Sequence, residues 1–131
     1  DDEAHIRNTL SMMLTKFCPQ VEVYGVADGV NSGIEAIRKQ HPDLVFLDIH
    51  LPDGDGFDLL HSLNTIDFRV IFISSFNNRS IQAFRHSGLA FLQKPFNLID
   101  LRNVVNDAAQ PVLKDFRQQL EVLEHDLAVE K

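Results

Sequence analysis

Apolar residues along this chain recur with alternating helical and strand-like periods. Between Glu3 and Phe17, the positions Ile6, Leu10, Met13, Leu14 and Phe17 follow helical spacing, and Pro19 closes the run. Residues 21–27 are rich in β-formers and read as a strand. Asp28-Gly29 turns the chain, with Asn31 or Ser32 available to cap a short helix carrying Ile34 and Ile37. His41-Pro42-Asp43 ends that helix. Leu44-Val45-Phe46-Leu47 is an unbroken apolar run, the pattern of a strand covered on both faces as in parallel sheets.

A loop rich in Pro, Gly and Asp occupies residues 51–56, followed by a helix with Phe57, Leu59, Leu60 and Leu63. Val70-Ile71-Phe72-Ile73 reads as a second buried strand, closed by Ser74-Ser75. Residues 79–86 form a helical pattern stopped by Gly88. Phe91-Leu92-Gln93-Lys94 is a short strand ended by Pro95, and from Leu98 the pattern stays helical almost to the end. Strands separated by helices predict an α/β architecture with a mostly parallel sheet. In such sheets the chemistry gathers at the carboxyl ends of the strands.

Composition narrows the partners. The chain has 131 residues, 44% of them hydrophobic, which suits one folded domain rather than disorder. Twelve Lys and Arg stand against 19 Asp and Glu, a net charge of −7. That balance argues against nucleic acid as a direct partner and favours a cation. No apolar run is long enough to span a membrane, and no charged-then-apolar leader opens the chain. Cys18 is the single cysteine, so no internal disulfide forms; together these features predict a cytoplasmic location.

The strand ends carry a chemical set. Asp48 follows the first apolar run, Ser74 and Ser75 follow the second, and Lys94 ends the third. Asp1 and Asp2 stand before the first helix, where a preceding strand would end. On one rim these residues would supply three carboxylates, a hydroxyl and an amine. Clustered carboxylates repel one another unless a cation compensates, and Mg²⁺ takes oxygen ligands together with phosphate oxygens. A carboxylate beside it can attack a phosphoryl group in line, while lysine and hydroxyl stabilise the developing charge. A phosphoryl group adds a charge of roughly −1.5 to −2 near pH 7, enough to bias a two-state surface.

Four motifs in register carry a resemblance: Asp1-Asp2-Glu3, the run Leu47-Asp48-Ile49-His50-Leu51-Pro52-Asp53-Gly54-Asp55-Gly56, Ile73-Ser74-Ser75, and Leu92-Gln93-Lys94-Pro95-Phe96. Over residues 1–110 the chain resembles a receiver domain of the bacterial two-component response regulators. The resemblance implies a flavodoxin-like, doubly wound parallel sheet of order 2-1-3-4-5 with helices on both faces. It implies Asp48 as phosphoacceptor, with Lys94 pairing the phosphoryl group and Ser74 as the switch hydroxyl. Phe91 would be the switch aromatic. Asp1, Asp2, Asp48 and the backbone carbonyl of His50 would hold Mg²⁺, and the Lys94–Pro95 bond would be cis. The implied phosphodonor is a histidine kinase. The implied function is reception of a phosphoryl group on Asp48, which switches the surface and controls an output domain or dimerisation. Such a protein is not an enzyme toward a free substrate; it catalyses only its own phosphorylation and dephosphorylation.

The sequence departs from that family at its front. Receivers begin with a short apolar strand before the acidic pair, whereas this sequence starts at Asp1. The expectation is that a few residues of that strand are omitted; the alternative is a fragment that lacks them, which would put the metal role of Asp1 and Asp2 in doubt. Two other functional readings stand beside the first. One is a degenerate receiver acting as a phosphorylation-independent interaction module, and the other a small Mg²⁺-dependent phosphohydrolase, for which no general acid is visible. Gly54 and Gly56 read as turn formers rather than phosphate cradles. Residues 53–58 fail the calcium-loop pattern, and no dinucleotide, Walker, nucleophile-elbow or zinc motif is present.

The tail carries a separate pattern. Leu113, Phe116, Leu120, Leu123 and Leu127 alternate at three and four residues, a coiled-coil seam about two heptads long. Pro111 would kink the helix or start a new one. Residues 111–131 therefore read as a helical extension, either folded back on its own domain or serving as a dimerising linker to an output domain outside the sequence. A homodimer is expected through this helix or through the Ser74/Phe91 face. DNA would be a partner only through such an output domain; the Ala83-Phe84 pair resembles receivers attached to LytTR-type DNA-binding domains.

Overall fold

A computed structural model of the chain describes residues 3–108 and 115–129. The backbone forms two compact units, Asp1–Arg69 and Val70–Lys131.

In the first unit, α1 (Glu3–Phe17) matches the helix predicted from periodicity. Leu14 is buried, and Cys18 just beyond the helix is 1% exposed, its N–H bonded to the Leu14 carbonyl at 3.1 Å. Residues 21–27, by contrast, form no strand. Tyr24 is 55% and Val26 56% exposed, so the β-formers there bury little. The physical reason is pairing: a strand needs a neighbour to take its N–H and C=O groups, and within this unit no described strand offers them.

Next come α2 (Val30–Gln40), closed by His41 in the left-handed conformation (φ 48°), and β1 (Leu44–Asp48). Leu47 is buried but Leu44, Val45 and Phe46 are only half-buried, short of the two-sided coverage expected from an unbroken apolar run. A two-residue ribbon, β2 (His50–Leu51) antiparallel to β3 (Gly54–Asp55), comes next and leads into α3 (Gly56–His61), which packs against α2. The start of α3 has a full capping box. Asp55 Oδ1 accepts from the Asp58 N–H at 2.8 Å, and Asp58 Oδ2 accepts from the Asp55 N–H at 2.9 Å.

In the second unit, β4 (Arg69–Ser74) pairs in parallel with β5 (Ala90–Gln93) from Ile71↔Ala90 to Ser74↔Gln93, the adjacency that the last two strands of the expected order require. Val70, Ile71, Phe72, Ile73 and Ser74 are all buried, as their apolar run predicts. Between the strands lies α4 (Asn78–Ser87), started by Asn77, whose side chain accepts from the Ser80 N–H, and stopped by Gly88 at φ 76°. α5 (Leu98–Ala108) packs on β5 through an apolar stripe in which Leu101, Val104 and Val105 are buried. α6 (Phe116–Val129) packs against α4. The helical pattern from Leu98 onward is divided between α5 and α6, and Asp115 opens the second by accepting from the Arg117 N–H. Pro111 and Leu113 lie outside the described residues.

Candidate functional site

Asp48 is the last residue of β1 and is half-buried, at the point where an extended strand hands over to the ribbon. Its Oδ1 accepts the His50 backbone N–H at 3.1 Å, which turns the chain immediately after the carboxylate. Two glycines shape the ribbon and the start of α3. Gly54 sits at φ 151°, a conformation side-chain-bearing residues rarely adopt, and it makes the turn of the ribbon. Gly56 has a different purpose: a Cβ there would meet the Asp48 carbonyl oxygen at 2.8 Å and Leu47 Cγ at 3.1 Å. The Gly56 N–H also bonds the Ile49 carbonyl at 2.9 Å. The start of α3 is thus drawn against the backbone of Asp48 itself. Close approach, rather than the turn expected from sequence, accounts for Gly56.

Asp53, at the tip of the ribbon, makes a contact that sequence reasoning missed. Its carboxylate reaches the start of α2, accepting from the Val30 N–H at 2.6 Å and the Asn31 N–H at 3.2 Å. The cap position of α2 is Gly29, which has no side chain to offer, and neither Asn31 nor Ser32 fills the role expected of it. Ser32 instead donates to Asp28 Oδ1 and the Gly29 carbonyl. The bond from Val30, then that from Asn31, holds the Asp53 carboxyl below its ordinary value of 3.8. A carboxylate with a depressed folded-state pKa stabilises the fold above its unfolded pKa, and that stabilisation fades as pH falls through the folded value. Asp53→Ala should therefore be less stable than wild type at neutral pH, with Asp53→Asn between them because the amide still offers an oxygen. The lead of wild type over both variants should shrink as pH falls below about 4, while the gap between the Asn and Ala variants, neither of which titrates there, should hold, in urea unfolding followed across pH.

At the carboxyl ends of β4 and β5, Ser74 and Lys94 come together. Ser74 is 3% exposed, Lys94 is half-buried, and the Lys94 N–H bonds the Ser74 carbonyl at 2.9 Å. The Lys94–Pro95 bond is cis, as expected. Phe91 on β5 belongs to an aromatic cluster. Its ring centroid lies 5.5 Å from Phe76 and 5.3 Å from Phe84, while Phe84 also meets Phe76 at 4.8 Å and Phe72 at 5.4 Å. Phe76, which no sequence pattern singles out, joins β5 to the start of α4, and Gln93 Nε2 donates to its carbonyl at 3.2 Å. Asp1 and Asp2 lie outside the described residues. Among the described residues, no group of three or more His, Cys, Asp or Glu side chains is placed to hold a metal, and no helix is long and apolar enough to cross a membrane.

Residues 1–106 match the response regulator receiver domain. The chain belongs to that family. Its receiver resembles the sensory transduction protein LytT of Enterococcus faecalis, at 33% identity over 112 residues, covering 84% of this chain and 46% of that protein. Among solved structures, the receiver domain of NtrX from Brucella abortus superposes with a TM-score of 0.66 at 31% identity, covering 82% of this chain and 92% of that one. The receiver domain of Erythrobacter litoralis PhyR gives a TM-score of 0.69 at 26% identity, covering 87% and 92%. The fold is accordingly α/β and flavodoxin-like, with a parallel sheet flanked by helices. The chain spans less than half the length of the LytT proteins it matches.

Proposed function

We propose that this receiver accepts a phosphoryl group on Asp48 from the phosphohistidine of a histidine kinase. The observation that carries the reading is Asp48 itself: a half-buried carboxylate at a strand's carboxyl end, steered by the His50 N–H, in a chain whose family is that of receivers. In the transfer, a carboxylate oxygen of Asp48 attacks phosphorus, the phosphorus–nitrogen bond of the donor breaks, and the imidazole leaves with the electron pair and takes a proton. The acyl phosphate formed is later hydrolysed, with water attacking phosphorus and the carboxylate leaving.

The other residues have supporting roles. The donor set of Asp48, the His50 carbonyl, Asp1 and Asp2 is all oxygen, the chemistry that suits Mg²⁺, which when bound neutralises phosphoryl oxygens. Lys94 would pair with the phosphoryl group as a cation. Ser74, buried beside it in the sheet, would offer its hydroxyl, and Phe91 would follow that movement through the rings of Phe76 and Phe84. The cytoplasm is the compartment where such kinases deliver phosphoryl groups. Residues beyond the matched region would carry the output, with DNA as the target of that part and not of this acidic domain.

The test is binding of beryllofluoride, a phosphoryl mimic, in the presence of Mg²⁺, followed by amide chemical shifts. Shifts at Asp48 and Ser74 that require both beryllofluoride and Mg²⁺ are expected. No binding would overturn the reading in favour of a phosphorylation-independent interaction module. Steady release of phosphate from a free substrate would favour a phosphohydrolase instead.

A further inference from the structure

The ribbon of β2 and β3 is tied down at both ends. At its base His50 pairs with Asp55, and the Gly56 N–H bonds the Ile49 carbonyl at 2.9 Å, so the returning strand lies against the backbone that leaves Asp48. At its tip the Asp53 carboxylate takes the Val30 and Asn31 N–H groups at the start of α2. α2 in turn packs on α3, so closely that a Cβ on Gly33 would meet Leu59 Cδ1 at 2.8 Å. Ribbon, α2 and α3 therefore close a ring, and Asp53 is a polar link in it.

Gly29 shows that room has been made for this link. Its φ of −167° is extended backbone open to any residue, so conformation does not require a glycine there. Space does: a Cβ on Gly29 would lie 2.8 Å from Asp53 Oδ1 and 3.2 Å from Asp53 Cγ. An alanine would displace the carboxylate, the far end of a side chain, before it moved the helix. Gly54 on the ribbon leaves similar room, since its Cβ would stand 3.1 Å from Val30 Cγ2. A local capping residue would satisfy the helix alone. Taking the bond from 23 residues away fixes the ribbon as well.

We propose that Asp53 is a positioning residue for the divalent cation: by holding the ribbon tip on α2, it fixes the His50 carbonyl relative to the Asp48 carboxylate. The proposal rests on the phosphoacceptor reading of Asp48, and Asp53 touches neither the ion nor phosphorus. His50 opens the ribbon, and its N–H already bonds Asp48 Oδ1. Mg²⁺ demands near-ideal octahedral geometry, so a ribbon free to swing costs affinity even with every ligand present.

The experiment is a titration of the full chain with Mn²⁺ at neutral pH. Mn²⁺ takes the same oxygen ligands as Mg²⁺, and paramagnetic resonance counts its unbound fraction directly. Asp53→Ala should weaken binding by roughly threefold to tenfold. Asp53→Asn keeps an acceptor oxygen and should stay within about twofold of wild type. Gly29→Ala alters no charge yet should weaken binding as Asp53→Ala does. Combining the two should cost nothing further, because both break one link. A bond that only stabilised the fold would leave the affinity of every folded variant unchanged. The proposal is overturned if Asp53→Ala binds Mn²⁺ as wild type does. It is also overturned if Asp53→Asn loses as much as Asp53→Ala while Gly29→Ala loses nothing, the pattern of a lost charge. Should Asp53→Ala fail to fold, Gly29→Ala decides alone, and unchanged affinity there overturns the proposal. A wild type that takes up no Mn²⁺ would overturn it together with the function on which it rests, whereas equal binding by wild type and Asp53→Ala overturns this proposal only.

Discussion

Asp48→Asn should abolish uptake of beryllofluoride and of a phosphoryl group from acetyl phosphate while leaving the fold unchanged. The two effects separate because Asp48 does two different things. Structurally, its Oδ1 accepts the His50 N–H, and an asparagine oxygen accepts the same bond with the same geometry. Chemically, the proposed reaction needs an anionic oxygen as nucleophile, and an amide has none. A loss of at least about two orders of magnitude in phosphorylation rate is expected, with an unfolding midpoint within about 0.5 kcal/mol of wild type. Intact mass after incubation with acetyl phosphate and Mg²⁺ reads the first quantity, and urea titration the second. Equal mass gain by wild type and mutant would move the acceptor to another residue.

The largest effect on stability should come from Phe84→Ala. Phe84 is 0% exposed and touches three other phenylalanine rings, each within 5.5 Å between centroids. Truncation removes a large buried ring and leaves a cavity that helix and strand on either side cannot both close, at a cost of about 3–5 kcal/mol. Single domains are stable by only about 5–15 kcal/mol, so this is a large share of the total. Phe84→Leu keeps most of the volume and should cost about 1–2 kcal/mol, part of it the lost edge-to-face ring contacts. Chemical unfolding of the two variants measures both. The same pair should also separate packing from signalling: Phe84→Leu should keep mimic binding yet blunt the spectral change at Phe91, since the ring that joins Phe91 to α4 is gone.

Much of this architecture is legible in the residues. α1 ends where its apolar spacing ends, Gly88 stops α4 because only a glycine takes the left-handed turn cheaply, and the apolar run of β4 is buried as written. These features depend on neighbours in sequence, so a local pattern suffices. Features that depend on distant partners are not legible. Residues 21–27 have strand composition, but composition supplies no partner for the ladder. The cap of α2 comes from Asp53, 23 residues from Val30, and its only sequence trace is a glycine where a capping side chain would ordinarily stand. The seam of α6 is legible as a stripe but not as a destination, because the same spacing suits a helix docked within the chain and one paired between chains. For the candidate site, the strand-end positions of Asp48, Ser74 and Lys94 come from the pattern of apolar runs, whereas the ring of Phe76 beside Phe91 leaves no periodic mark.

The bond from Asp53 to the first turn of α2 has a practical use. The amide protons of Val30 and Asn31 point at a carboxylate in the loop just beyond Asp48, although neither residue takes part in the proposed chemistry. Their resonances are therefore built-in spectators of the loop. Any ligand that shifts the ribbon by a fraction of an ångström should alter these two signals first, without a label and without a substitution.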